Sequence, residues 1–444
     1  MLNDTIVAIS TALSEAAISI VRLSGSESIE IVNRLFSKDL SEAKSFTIHY
    51  GTIRDPYTNQ FVDEVLVSVF RAPKTFTTQD MIEINCHGGV VVTRQILTLC
   101  LSLGARLAEK GEFTQRAFLN GRIDLSQAEA TLDMIQAPST MASQMAGEGI
   151  MGSVKRLIDP LMVHIMDMIA HIETNIDYPE YTDVEELTQE ELLPRAIDFK
   201  ERVINILKQA QTGRIVKEGL KTVIVGKPNV GKSSLLNALL EEDKAIVTDI
   251  AGTTRDLVEG WIRLENVTLH LIDTAGLRET DEIVEQIGID KTKQALEEAE
   301  LVIVVIDGSE ALSDDDKNLL EETKNLNRII VYNKSDLGEL YDDGIVISAQ
   351  NNQIEPLILE INSRYQDTAA LIGQPLLTNE RQISLMRQAH DSIDKVIEGC
   401  EMGLELDLVN IDLTACYKSL ASILMPVDEV NVIGEIFTRF CLGK

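Results

Sequence analysis

The spacing of apolar residues changes character along the chain, and each change marks a different kind of structure. Ser26 opens a helical stretch with Ile29, Val32 and Leu35 on one face. Runs at 46–53 and 61–70 read as strands flanking the turn-rich Asp55-Pro56-Tyr57-Thr58-Asn59. Residues 81–85 predict another strand, which leads through His87-Gly88-Gly89 into a helix ending near Leu103. This mixture predicts an α+β domain over 1–118.

From about 119 the period becomes helical. Asp124 suits an N-cap, with Gln127 three positions on as in a capping box, and Ala128, Leu132 and Ile135 form a stripe. Helices are predicted over 154–176 and 190–211; His164 and His171 share a face of the first, where packing is favoured over a metal pair. Gly213 and Gly219 mark a boundary. Over 219–366 strands alternate with helices, 301–307 being the clearest central strand, which predicts a Ras-like α/β sheet. After Ser363 the helical period returns with Ile383, Met386, Ala389, Ile393 and Val396, then with 408–424. Compact domains often have neighbouring termini, so one can be inserted in another. The expected fold is therefore multidomain. It comprises an α+β domain (1–118), a discontinuous all-α domain (119–218 and 367–444) and an inserted Ras-like α/β domain (219–366).

Composition narrows the setting. The 444 residues suit about three domains. An apolar content of 44% supports cores, yet no apolar run is long enough to span a bilayer. Met1-Leu2-Asn3-Asp4 lacks a cationic, apolar export signal, and Cys86, Cys100, Cys400, Cys416 and Cys441 show no metal-binding spacing, so a cytoplasmic protein with reduced thiols is expected. The net charge of −31 opposes nucleic-acid binding by the average field. If RNA is handled, a local basic surface or a partner must hold it.

The chemistry lies in four phrases. Gly226-Lys227-Pro228-Asn229-Val230-Gly231-Lys232-Ser233 follows the apolar run 222–225 and precedes a helical stretch over 234–240, the setting of a phosphate-binding loop. Asn229, Val230, Gly231, Lys232, Ser233 and Ser234 would surround the phosphates, Lys232 reaching the outer ones and Ser233 offering a hydroxyl to Mg2+. Thr253-Thr254 lies downstream. Asp273-Thr274-Ala275-Gly276 ends the run 269–272, where Asp273 can hold Mg2+ through water and Gly276 can sense a terminal phosphate. Asn333-Lys334-Ser335-Asp336 follows the strand 328–332, and Asp336 can accept both donors on the Watson–Crick edge of guanine. Ser348-Ala349-Gln350, after the strand 344–347, suits a backbone contact to the guanine oxygen. Together these predict a GTP switch.

Phe118-Leu119-Asn120-Gly121-Arg122-Ile123-Asp124-Leu125, the Pro-Asn phosphate loop, Thr248-Asp249-Ile250-Ala251-Gly252-Thr253-Thr254-Arg255-Asp256 and Phe440-Cys441-Leu442-Gly443-Lys444 resemble the MnmE (TrmE) family of tRNA-modification GTPases from end to end. The resemblance implies a folate-binding, dimerising N-terminal domain and a homodimer whose GTPase is activated by potassium. It further implies K+ ligands at Asn229, Thr248, Ile250 and Thr253, and Mg2+ ligands at Ser233 and Thr254. Leu277 stands where Ras-type enzymes place a water-orienting Gln. Arg255 and Arg278 are conceivable fingers, but the family pattern assigns catalysis to Glu285 through a bridging water.

The resemblance also implies that a tetrahydrofolate derivative is held by Arg22, Glu83, Arg122 and Lys444. Thr11-Ala12-Leu13-Ser14-Glu15-Ala16-Ala17 replaces the Pro/Gly-rich loop usual in relatives. Cys441 is a candidate for a positioning role or for modification chemistry. The implied partner is a flavoprotein resembling GidA (MnmG), carrying FAD and forming a heterotetramer that modifies the wobble uridine of certain tRNAs with a carboxymethylaminomethyl group at C5. A ribosome-assembly GTPase is the main rival, although no GXXG-containing basic module is present; a folate enzyme with an attached regulatory GTPase is the other.

Overall fold

The computed structural model describes residues 4–177, 189–241, 245–246, 260–272, 296–338, 344–366, 373–426, 436–440 and 443. The chain divides into two compact units, 1–132 with 417–444 and 133–416.

The first unit is built on strands β1 (Ile6–Ile9), β2 (Ala16–Ser24), β3 (Thr47–Arg54), β4 (Phe61–Phe70), β5 (Met81–Gly88) and β6 (Arg106–Leu107), in the order β3-β4-β5-β2-β1-β6. All pairings are antiparallel except β1 with β6. Alternation sends Val21, Leu23, Val65, Val67, Ile82 and Ile84 to one face, where they share a core with Ile31, Val32, Ile96 and Cys100 of helices Ser28–Asn33 and Val90–Ser102. The same alternation turns Arg22 and Glu83 to the other face, and the register sets them directly opposite one another. The capping box at Asp124 forms as its spacing predicts. Gln127 N donates to Asp124 Oδ1 at 2.9 Å and Asp124 N donates to Gln127 Oε1 at 3.0 Å. Phe118, Leu125, Ala128, Phe437 and Phe440 pack as one cluster, tying residues 436–440 to this unit.

The second unit contains β7 (Leu220–Val225), β8 (Ala245–Ile246), β9 (Gly260–Arg263), β10 (Thr268–Leu271), β11 (Leu301–Asp307), β12 (Arg328–Asn333) and β13 (Ile345–Val346), ordered β13-β12-β11-β7-β10-β9-β8. Strands β7 and β10 to β13 pair in parallel, and β9 runs antiparallel to β10. Residues 301–306 are all buried, as a central strand covered on both faces requires. Helices Lys232–Glu241, Asp314–Glu322 and Glu355–Arg364 accompany the sheet.

Helices Gln189–Glu218 and Glu380–Glu401 pack together, burying Phe199 and Val203 on one and Ile383, Met386, Ala389, Ile393 and Val396 on the other. Lys200 and Asp394 add an ion pair at 2.6 Å. His164 meets Phe199 edge to face, centroids 5.9 Å apart, so it is a packed residue.

Some element limits differ from the sequence reading. The helix expected to end near Gln211 continues to Glu218, with Gly213 held in helical conformation inside it. The left-handed Gly219, at φ 74°, ends it. The helix expected from Ser26 starts at Ser28, whose hydroxyl is committed to the Gly25 carbonyl at 2.7 Å.

Candidate functional site

Strand β7 lies between β11 and β10, where the sheet order reverses, and a parallel sheet opens its ligand crevice at that point. The loop after β7 occupies this crevice. Asn229 adopts a left-handed conformation at φ 65°, which Asn tolerates better than most residues. Lys232 opens the next helix and donates from Nζ to the carbonyls of Gly226 and Lys227 at 2.8 and 2.7 Å. Burial pushes its ammonium below the usual lysine range, so a phosphate would replace weak neutral acceptors with a charged one. Ser233 and Ser234 follow on the first turn of this helix, where backbone N–H groups lack intrahelical acceptors.

Asn333, at the end of β12, joins this loop to the segments that follow β12 and β13. Its Nδ2 donates to the Val230 carbonyl at 2.9 Å, and its Oδ1 accepts from Ala349 N at the same distance. Gly231 is required for this, since a Cβ there would stand 2.2 Å from Asn333 Nδ2. Lys334 (φ 66°) pairs with Asp307 Oδ2 at 2.6 Å. Burial alone would raise the Asp307 carboxyl, but the bonds from Lys334 and Ser309 outweigh it and hold it below the usual range. Ser335 N donates to the Ile347 carbonyl at 3.2 Å. Asp336 is exposed, and its Oδ1 accepts from the buried Ser348 hydroxyl at 2.5 Å, leaving the carboxylate directed by its neighbour yet accessible. Ser348 also pairs with Gln353, which shapes the turn carrying Gln350.

In the first unit, Arg22, Glu83 and Arg122 line one cavity of about 790 Å3. Arg22 meets Glu83 Oε1 through Nε and Nη2, each at 2.8 Å, and donates from Nη1 to the Gly443 carbonyl at 3.1 Å. Gly443 is left-handed at φ 88°, and a Cβ on it would press 2.4 Å from the Ile9 carbonyl oxygen. Arg122 lies over the Phe76 ring, 4.9 Å from its centroid, and donates to the Phe76 carbonyl at 3.2 Å. Phe46 and Phe70, edge to face at 5.9 Å, give the cavity an apolar wall.

Thr248, Asp249, Ile250, Ala251, Gly252, Thr253, Thr254, Asp273, Thr274, Ala275, Gly276, Leu277, Glu285, Arg255, Arg278, Cys441 and Lys444 lie outside the described residues. Sequence reasoning missed Asp307, the Gly443 carbonyl and Phe76 as partners of site residues. Asp307 carried a signal, being the polar end of an apolar strand beside the guanine loop; Phe76 carried none.

Residues 125–441 match the MnmE helical domain family, and residues 5–122 match the GTP-binding protein TrmE N-terminus family. The chain belongs to the MnmE family of tRNA modification GTPases. It is 48% identical over 451 aligned positions to the tRNA modification GTPase MnmE of Streptococcus gordonii, covering 99% of each chain. The Streptococcus pneumoniae (strain Hungary19A-6) protein of the same name is 49% identical with the same coverage. Among solved structures, the G domain of the T. maritima FeoB iron transporter is 28% identical, covering 34% of this chain and 98% of its own, at a TM-score of 0.25. The motif loops and the MnmE relatives, rather than that likeness, identify the chain as a GTP hydrolase.

Proposed function

We propose that this chain is a potassium-dependent GTPase that works with a GidA/MnmG-like flavoprotein to modify the wobble uridine of certain tRNAs, drawing a one-carbon unit from a tetrahydrofolate. The observation that carries the reading is the meeting of Arg22, Glu83 and Arg122, far apart in sequence, on one cavity. The arginine–carboxylate pair supplies donors and an acceptor suited to a pterin edge, the phenylalanine wall suits its ring, and Arg122 suits an anionic tail. Arg and Lys are not equivalent at such a site, so an arginine at 122 will set its own contact geometry. Lys444 is proposed as a further folate contact, and Cys441 as a positioning residue at the chain's end.

On the GTPase side, Asn229, Val230, Gly231, Lys232, Ser233, Ser234, Asn333, Lys334, Ser335, Asp336 and the 348–350 turn are proposed to hold the nucleotide, with the 248–254 and 273–276 segments completing the site. Its left-handed backbone suits Asn229 to a loop position facing phosphates, where an amide oxygen is an apt ligand for a large monovalent cation. Thr248, Ile250 and Thr253 are the other proposed K+ ligands, and Ser233 with Thr254 the proposed Mg2+ ligands. Bound there, K+ would supply the positive charge that an arginine finger supplies in other switches. Glu285 is the proposed water-orienting residue.

The proposed assembly is a cytoplasmic homodimer joined to the FAD-bearing partner in a heterotetramer. The chain's net charge of −31 supports leaving most of the tRNA surface to that partner. Domain limits of 1–118, 119–218, 219–366 and 367–444 are proposed. Nucleoside mass spectrometry of tRNA from cells lacking the protein tests this function. Loss of the modified wobble uridine is expected; unchanged tRNA with defective ribosomal subunits would contradict it.

A further inference from the structure

The phosphate loop is pinned on both flanks. On the far flank, Asn333 holds the Val230 carbonyl at 2.9 Å. On the near flank, Lys227 leaves the loop and reaches the start of helix Asp314–Glu322. Its Nζ lies 2.7 Å from Asp316 Oδ2 and donates to Ser313 Oγ at 2.7 Å. Asp316 is only 3% exposed and is already fixed, because Ser313 and Asp316 form the capping box of that helix. Its second oxygen, Oδ1, is buried without a hydrogen-bond partner. Lys227 is therefore the cation that balances a buried carboxylate. Glu310 and Asp315 add a more distant acidic field around it.

The backbone of Lys227 has a second task, since its carbonyl accepts from Lys232 Nζ at 2.7 Å. The anchored side chain thus fixes the carbonyl on which Lys232 rests, two positions before the left-handed Asn229. We infer that Lys227 is a positioning residue whose ion pair with Asp316 anchors the entry of the phosphate loop and slows nucleotide release. A loop freed on this flank can relax at Asn229 and turn its N–H groups away from the phosphates. The effect concerns nucleotide retention, whatever cation assists hydrolysis. It rests on the reading that residues 226–234 hold the phosphates.

The test is stopped-flow release of a fluorescent GDP analogue (mant-GDP) from the full chain and from Lys227→Met, Lys227→Arg, Asp316→Asn and the Lys227→Met/Asp316→Asn double variant. Lys227→Met and Asp316→Asn should release mant-GDP about tenfold faster, the scale of one lost charge-assisted hydrogen bond, while Lys227→Arg stays near the unaltered rate. Lys227→Met leaves the carboxylate unbalanced and should also melt lower. The double variant should recover melting temperature and still release fast, a separation that a purely structural pair would not give. Release unchanged in both single variants, or retention restored together with stability in the double variant, would overturn the inference. Failure of the unaltered chain to bind mant-GDP would remove the phosphate-loop reading and this inference with it.

Discussion

Asn333 Nδ2 stands only 2.2 Å from the place a Cβ on Gly231 would take. The loop after β12 therefore grips the loop after β7 through a gap that only glycine leaves, and Gly231 is also left-handed at φ 96°. Gly231→Ala should abolish binding of mant-GDP while sparing the first unit's fold. Asn333→Ala leaves the Val230 carbonyl and Ala349 N without their partner. Each buried orphan costs roughly 1–3 kcal/mol, so affinity should fall at least tenfold by titration.

Base choice should follow Asp336. Its carboxylate, oriented by the Ser348 hydroxyl at 2.5 Å, would under the proposed function accept from the two donors of guanine. Asp336→Asn replaces one acceptor with a donor, which suits the carbonyl that xanthine carries there. Competition titration should show GTP weakened about a hundredfold or more and XTP strengthened, since rejection arises from unpaired polar groups.

The cavity makes an independent prediction. Glu83→Gln removes the charge facing Arg22 but keeps the shape, and Arg22→Ala removes the donor that also holds the Gly443 carbonyl. Isothermal titration with a reduced folate should show at least tenfold weaker binding for each, as expected when one partner of a charged hydrogen bond is lost. GTP turnover by the isolated protein should change little.

Legibility from sequence was uneven, for physical reasons. The motifs at 226–233 and 333–336 and the Asp124–Gln127 capping box are local patterns that spacing alone displays, and the capping box forms as that spacing predicts. The stripe from Ile383 to Val396 was legible because a helix repeats its buried face. The contact of Phe76 with Arg122 depends on chain crossings that no period records, and so does the Gly443 carbonyl at Arg22. Helix Thr140–Ile150 escaped notice because glycines at 147 and 149 blur its pattern, although Ser139 caps it through Ala142 N. The meeting of Arg22, Glu83 and Arg122 was legible only through family resemblance.

Acid should act first on the cluster around Arg116, a side chain 2% exposed that meets Asp4 at 2.6 Å and Glu112 at 2.9 Å. Burial raises both carboxyls, yet bonds from Arg106 and Arg116 prevail and hold them below their ordinary values of 3.8 and 4.5. Depressed carboxylates contribute fully above those values and lose their contribution as pH falls through the lowered ones. Melting temperature should therefore hold down to about pH 4.5 and then fall steeply. Arg116→Met, which strips a partner from a buried pair, should cost roughly 3–5 kcal/mol and flatten that acid limb.

Cation dependence tests the central claim most directly, by GTP turnover of the full chain in KCl and in NaCl at equal ionic strength, with Asn229→Ala alongside. The account predicts turnover at least tenfold faster in KCl and loss of that difference in Asn229→Ala. Equal rates in the two salts, or full potassium stimulation without the Asn229 side chain, would contradict it.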